Sequence, residues 1–152
     1  MLIGLSDQPR PPVREGRNTG TSGLPMKDSI QIRVPSDAVS ALKLFARKRQ
    51  EHFVVLTLNG AHWTIRRHVV TIGLANRTMV HPREVFWPAI RDNAVAIVVA
   101  HNHPSGQIDP SNEDREVTRR LVAAGEIIGI PVLDHVIIGR DRYYSFLESG
   151  LI

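Results

Sequence analysis

The chain has 152 residues, of which 42% are hydrophobic and 22% charged, a balance typical of a single globular domain with a hydrophobic core. It contains no cysteine, which excludes disulfide frameworks and thiolate metal sites and favours a cytoplasmic location. The longest apolar run spans residues 94–100, far short of the roughly 20 residues that a membrane-spanning helix needs. We therefore expect a protein that does not cross a bilayer.

The net charge is +4, and the basic side chains are scattered over short clusters at residues 43–49, 66–67 and 119–120. A nucleic-acid groove usually shows a continuous basic stripe, so these clusters are interpreted first as solvated surface. Weak association with nucleic acid stays open as an alternative.

Residues 1–29 are rich in Gly, Pro, Ser, Thr and Arg and poor in large apolar residues. This composition predicts a flexible tail, and the segment lacks the basic start and apolar centre of a secretory signal. The folded domain is predicted over residues 30–152.

Hydrophobic periodicity and turn residues predict five strands and three helices in the folded part. In chain order these are helix 36–49, strands 53–58 and 63–72, helix 82–92, strand 94–100, helix 112–128, and strands 132–138 and 143–146. Pro88 is expected to kink or shorten the second helix. The sum is an α/β (α+β) domain, with a mixed sheet flanked by about three helices.

The third helix has the clearest boundary signals. Ser111 is a good N-cap, Asp114 completes a capping-box pattern three residues later, and Gly129 ends the helix. Val117 and Leu121 belong to an apolar stripe that faces the core. Because Asp114 precedes Val117 by three residues, its carboxylate is predicted to turn inward as well.

Two histidines follow the predicted central strand, in a loop expected to span residues 101–110. His101 and His103 are two residues apart, so on an extended segment both imidazoles point the same way. Together with Asp114 they form a three-ligand set that Zn²⁺ accepts, with a fourth position open for water. The alternative is that the histidines are ordinary loop residues and that Ser111 and Asp114 only cap the helix.

The array His-x-His-x(7)-Ser-x-x-Asp formed by these residues resembles the JAMM motif of JAB/MPN metalloproteases and deubiquitinating isopeptidases. The stretches HPREVF, HNHPSG and LDH, which begin at His81, His101 and Leu133, are similar to the RadC-like branch of that family. The resemblance covers roughly residues 30–152. It implies a JAB/MPN-like (cytidine deaminase-like) fold.

The resemblance also implies site roles: zinc held by His101, His103 and Asp114, and a hydrogen bond from Ser111 to the oxyanion. Glu51 stands where the family has its general base, although the residues alone do not single it out among the glutamates. The implied activity is a zinc-dependent peptidase or isopeptidase, in which water activated by the metal attacks a peptide carbonyl. Its partner would be a peptide or protein substrate.

Other interpretations compete with this one. Asn102 stands where eukaryotic-type isopeptidases favour Ser or Thr, which agrees with the RadC-like branch and argues against deubiquitinase-like activity. A nucleic-acid-associated module or nuclease, suggested by the basic pI and by the DNA-repair label of RadC-like proteins, is the main alternative. A non-catalytic scaffold is a third. His135 and Asp134 could support the metal ligands or belong to the core, and the core is the favoured interpretation. The sequence leaves the substrate and the oligomeric state open.

Overall fold

A computed structural model describes residues 24–26, 28–73 and 80–152. The elements found within them are listed here in chain order: β1 Leu24–Pro25, α1 Pro35–Leu42, β2 His52–Leu58, β3 Thr64–Ile72, α2 Pro82–Arg91, β4 Ala96–Asn102, α3 Asn112–Ile128, β5 Val132–Ile138 and β6 Tyr143–Ser145. Among these residues, no helix is long and apolar enough to cross a membrane.

The strands form one mixed sheet in the order β1-β3-β2-β4-β5-β6. Strands β4 and β5 run parallel, with α3 as the connection between them, and every other neighbouring pair is antiparallel. This confirms the predicted α/β class with a mixed sheet and three helices. The two parallel strands end at the same edge of the sheet, which brings the segments that follow them together.

Both faces of the sheet are covered. On one face, α1 packs on alternate strand residues such as Val54 and Val98, and on the other face α2 and α3 pack on their neighbours Val55 and Val99. All residues of β4 are buried, as expected for a central strand without polar alternation. This strand is therefore a fixed base for whatever its last residues carry.

The first helix is shorter than predicted. It ends at Leu42, and a single 3₁₀ turn, Lys43–Phe45, replaces its continuation to residue 49. The side-chain amide of Asn102 donates to the backbone oxygens of Lys48 and Gln50, at 3.4 and 3.1 Å. These contacts hold the chain against the end of β4, so tertiary hydrogen bonds win over local helix propensity.

The helix α2 continues through Pro88 and ends at Arg91, one residue earlier than predicted. Proline removes one intrahelical donor, but Val85, Phe86 and Ala89 are buried and hold the helix to the sheet.

Strand β1 lies within the segment 1–29 that was predicted to be a flexible tail. Leu24 and Pro25 pair there with Arg67 and Arg66 of β3. Residues 1–23 lie outside the described residues, so the tail prediction stays untested for them, and the domain boundary at residue 30 stays a prediction.

Candidate metal centre

His101 lies inside strand β4 rather than in the loop that the sequence predicted after residue 100. The strand continues to Asn102 because residues 101 and 102 pair with Ile137 and Ile138 of β5. His101 is 1% exposed, and its ring stacks on Phe53 of β2 with 6.1 Å between ring centroids. The sheet therefore fixes this imidazole on the face that α2 and α3 cover.

His103 follows the strand end and is held by its own loop. Its backbone N–H donates to the carbonyl of Ile138 at 3.2 Å, and Nδ1 of its ring lies 2.7 Å from the carbonyl oxygen of Gln107. Gly106 allows the tight turn between them, since its φ of 83° is in the left-handed region. The ring is partly exposed, at 12%.

Asp114 lies in the first turn of α3 and is fully buried, as its place on the apolar stripe predicted. Ser111 is the N-cap, with the predicted capping box: its Oγ accepts from the Asp114 N–H at 3.1 Å. In return, Oδ2 of Asp114 accepts from the Ser111 N–H and Oγ–H, both at 2.8 Å. The cap therefore orients this carboxylate toward the strand end.

The three side chains converge. Nε2 of His101 lies 3.0 Å from Nε2 of His103 and 3.2 Å from Oδ1 of Asp114, and Nε2 of His103 lies 3.8 Å from Oδ2 of Asp114. Ligand atoms on a tetrahedral zinc ion, at bond lengths near 2.0–2.1 Å, lie about 3.3 Å apart. The ligand atoms all fit within 4.8 Å of one another, so these residues could hold a metal ion.

Glu51 lies immediately before β2, half-buried, and its carbonyl accepts from the Gly73 N–H at 2.8 Å. The ladder between β2 and β4 ends at the pair Phe53 and His101, so Glu51 precedes that pair by two residues and His103 follows it by two. The assignment of Glu51 as the base stays a prediction, as does the oxyanion role of Ser111.

The sequence favoured the core for His135 and left a place behind the metal ligands as the alternative. The His135 imidazole is fully buried, as expected for a core residue, but Nε2 lies 2.8 Å from Nδ1 of His101. The signal in the sequence was weak, because parallel pairing of β4 and β5 had to be known before His135 could be placed beside Val99. The neighbouring Asp134 accepts from Ser145 and the Leu147 N–H instead. Burial outweighs these hydrogen bonds and raises the pKa of Asp134.

A mixed sheet, with two strand-end imidazoles facing a helix-borne carboxylate, defines an α/β domain with a candidate metal site. Residues 32–151 match the family model described as the RadC-like JAB domain. The chain therefore belongs to the RadC-like JAB domain family, as the resemblance in its motifs indicated.

Similar proteins carry uninformative names. The chain is 55% identical over 104 residues to a "UPF0758 protein" of Trichlorobacter lovleyi, a match that covers 68% of this chain and 45% of the relative. It is 49% identical over 122 residues to a protein of that name from Rubrobacter xylanophilus, covering 80% and 53%. The chain thus spans about half the length of the curated relatives it matches.

Proposed function

We propose that this domain is a zinc-dependent peptidase or isopeptidase. The observation that carries the proposal is the convergence of His101, His103 and Asp114 at the end of a buried strand. Two imidazoles and one carboxylate suit zinc, and three protein ligands leave a coordination position for water or substrate, as in catalytic rather than structural sites. A bound zinc ion would lower the pKa of a coordinated water and polarise the carbonyl of the substrate.

The residues around the site would divide the remaining work. Glu51, two residues before the strand residue that pairs with His101, would accept a proton from the attacking water and pass it to the leaving amine. The Ser111 hydroxyl would donate to the oxygen that becomes negatively charged during attack. This second role requires the Ser111 hydrogen to leave Asp114, to which it donates at 2.8 Å.

Metal binding and hydrolysis are tested separately. Zinc content and zinc Kd are measured for the wild type, Asp114→Asn and Glu51→Gln, and cleavage is followed by mass spectrometry on a mixture of synthetic peptides. We expect about one zinc per chain in the wild type and in Glu51→Gln, and a large loss of zinc in Asp114→Asn. Cleavage should fall by about 100-fold or more in Glu51→Gln, the scale of a lost general base.

Glu126→Gln, an exposed substitution on α3, is the matched control for the change in Glu51. The proposal fails if the wild-type protein binds no zinc at micromolar concentration, or if Glu51→Gln cleaves peptides as fast as the control.

A second candidate function, nucleic-acid association, is supported by a basic pocket of about 500 Å³. Residues from three segments line it: Ala46, Arg47, Lys48, Arg49, Pro104, Arg140 and Asp141. Pro104 directly follows His103, so the pocket adjoins the candidate metal centre. Four cationic side chains gathered in one concave surface suit the phosphates of a single strand.

Fluorescence anisotropy with a labelled 20-nucleotide single strand tests this second candidate at 50 and 200 mM salt. We expect binding that weakens with salt and that weakens further in Arg47→Ala and Arg140→Ala. Arg119→Ala removes the same charge from the exposed side of α3 and should bind like the wild type. Affinity that is independent of salt, or equal in all variants, would rule out this function for the pocket.

A further inference from the structure

A chain of buried hydrogen bonds connects His101 back to Asp114 through the core. Nδ1 of His101 lies 2.8 Å from Nε2 of His135, and Nδ1 of His135 lies 2.6 Å from Oγ1 of Thr118. The Thr118 hydroxyl in turn donates to the backbone carbonyl of Asp114 at 2.6 Å. Each of these four residues is at most 2% exposed. The chain thus begins and ends on residues of the candidate metal centre.

The partners set the direction of each hydrogen. A carbonyl oxygen only accepts, so the single hydrogen of the Thr118 hydroxyl is used on Asp114. Thr118 then accepts from Nδ1–H of His135, and the neutral His135 ring has its lone pair on Nε2. This lone pair accepts from Nδ1–H of His101. The neutral His101 ring therefore has its own lone pair on Nε2, the atom that faces His103 and Asp114.

His103 reaches the same state by a separate route. Its Nδ1 lies 2.7 Å from the carbonyl of Gln107, so Nδ1 carries the hydrogen and Nε2 the lone pair. Both imidazoles therefore direct lone pairs at one point, with 3.0 Å between the two nitrogens. Two nitrogen lone pairs directed at one point repel each other, and a cation bound between them removes this repulsion.

Aromatic contacts hold the His135 ring in the plane that this chain needs. The ring stacks on Phe146, with 4.8 Å between centroids and 10° between planes, and it meets the Phe53 ring at 62°. Phe53 also stacks on His101. The orientation of His135 is therefore set by packing and not only by its hydrogen bonds.

We propose that His135 and Thr118 are positioning residues that lock His101 in the tautomer with its Nε2 lone pair toward the metal. A metal-ligating histidine is commonly oriented by a carboxylate, carbonyl or water on its other nitrogen. Here a second histidine and a threonine take that part. The inference rests on the proposed function only for metal binding and not for hydrolysis.

Thr118 offers a matched pair of variants, because Thr118→Val removes the hydroxyl at nearly constant shape and Thr118→Ser keeps it. We expect the zinc Kd to rise by about 10- to 100-fold in Thr118→Val, the range found when an outer partner of a ligand is lost. Thr118→Ser should stay within a few-fold of the wild type. His135→Gln, which can still accept from His101, should lose less affinity than His135→Phe. Thermal unfolding identifies any variant that fails to fold.

Nitrogen-15 chemical shifts of the zinc-free protein report the tautomer directly. We expect His101 to carry its hydrogen on Nδ1 in the wild type and in Thr118→Ser, and to show a mixture of tautomers in Thr118→Val. A wild-type His101 with its hydrogen on Nε2 and none on Nδ1, or equal zinc affinity in Thr118→Val and Thr118→Ser, overturns the inference. A protein with the expected tautomer and zinc affinities that cleaves no peptide supports this inference and counts against the peptidase proposal.

Discussion

At the residue scale, Ser111 has one hydroxyl hydrogen and two uses for it. In the structure the Ser111 Oγ–H donates to Oδ2 of Asp114, and the Ser111 Oγ accepts from the Asp114 N–H. In the proposed function, the same hydrogen would stabilise an oxyanion. The helix cap and the candidate metal site thus share this side chain. Its removal should lower protein stability and zinc affinity in addition to any effect on hydrolysis.

We predict that Ser111→Ala lowers the free energy of unfolding by about 1 kcal/mol, the usual cost of losing an N-cap side chain. The zinc Kd should rise several-fold, because Oδ2 of Asp114 loses a donor that orients it. Urea unfolding and zinc titration measure the two effects. Ser111→Thr keeps a capping hydroxyl and is the control. Unchanged stability in Ser111→Ala would show that the cap contributes little.

Asn102, on the opposite face of β4 from His101, holds neighbouring segments by hydrogen bonds. Its Oδ1 accepts from the His52 N–H at 2.7 Å, and its Nδ2 donates to the backbone oxygen of Lys48, which lines the basic pocket. Asn102, which stands between the two histidines in the sequence, is fully buried. It therefore connects the start of β2 and the pocket to the strand that carries His101.

Asn102→Ala should destabilise the protein by about 2 kcal/mol or more, because it removes three partly buried hydrogen bonds made by this side chain. Its effect should extend to the pocket, with faster hydrogen exchange of the backbone over residues 47–50. Asn112→Ala, an exposed asparagine at the start of α3, is the control and should change stability by about 0.5 kcal/mol at most. A similar loss in both variants would contradict this role.

At the scale of elements, the connection from α3 to β5 passes too close to one residue of α3 for a side chain there. A Cβ added to Gly125 would lie 2.7 Å from the Ile130 carbonyl oxygen and 3.3 Å from the Phe86 ring. The Gly125 carbonyl also accepts from the N–H groups of Gly129 and Ile130, at 2.9 and 3.0 Å. This glycine allows α3 to stop and the chain to turn directly into β5.

Gly125→Ala should therefore be destabilising by about 1–3 kcal/mol, the cost of overpacking, although alanine is the better helix former. Equilibrium unfolding in urea measures the change in the free energy of unfolding. Gly60→Ala is the matched control, since a Cβ there meets nothing within 4 Å. A Gly125→Ala protein as stable as the wild type would mean that α3 can move away from β5 at little cost.

At the scale of the whole molecule, the sequence predicted what local patterns control. The capping residues of α3, the all-buried β4 and the inward turn of Asp114 follow from spacing and periodicity. Long-range partners could not be read in this way. The early end of α1 depends on hydrogen bonds from Asn102, and the place of His135 beside His101 depends on the pairing of β4 with β5.

Asp92 is another residue with partners distant in sequence. It caps the C-terminus of α2 and accepts from Thr57 of β2 at 2.7 Å, from Arg66 of β3 at 3.1 Å, and lies 2.6 Å from Nε2 of His68. Burial acts to raise the pKa of Asp92, but the hydrogen bonds from His68 and Thr57 and the nearby positive charges outweigh it and lower the pKa.

A carboxyl with a lowered pKa in the folded state stabilises that state above its unfolded pKa, which is about 3.9 for Asp. The contribution is lost as the pH falls through the lower, folded value. We therefore predict that Asp92→Asn is less stable than the wild type by about 2 kcal/mol at pH 7, the scale of a hydrogen bond to a charged group. The difference should shrink steadily below pH 4.

Urea unfolding of both proteins between pH 7 and pH 2.5 measures this difference, and the pH dependence of the metal ligands cancels because both proteins have them. Glu126→Gln removes an exposed carboxylate and should follow the wild type across the range. A constant gap between wild type and Asp92→Asn at every pH would show that the hydrogen-bond geometry at Asp92, and not its charge, connects α2 to the sheet. A difference in unfolding free energy that disappears at low pH would show that the ionised carboxylate of Asp92 connects α2 to the sheet. Protonation in acid would then weaken this contact.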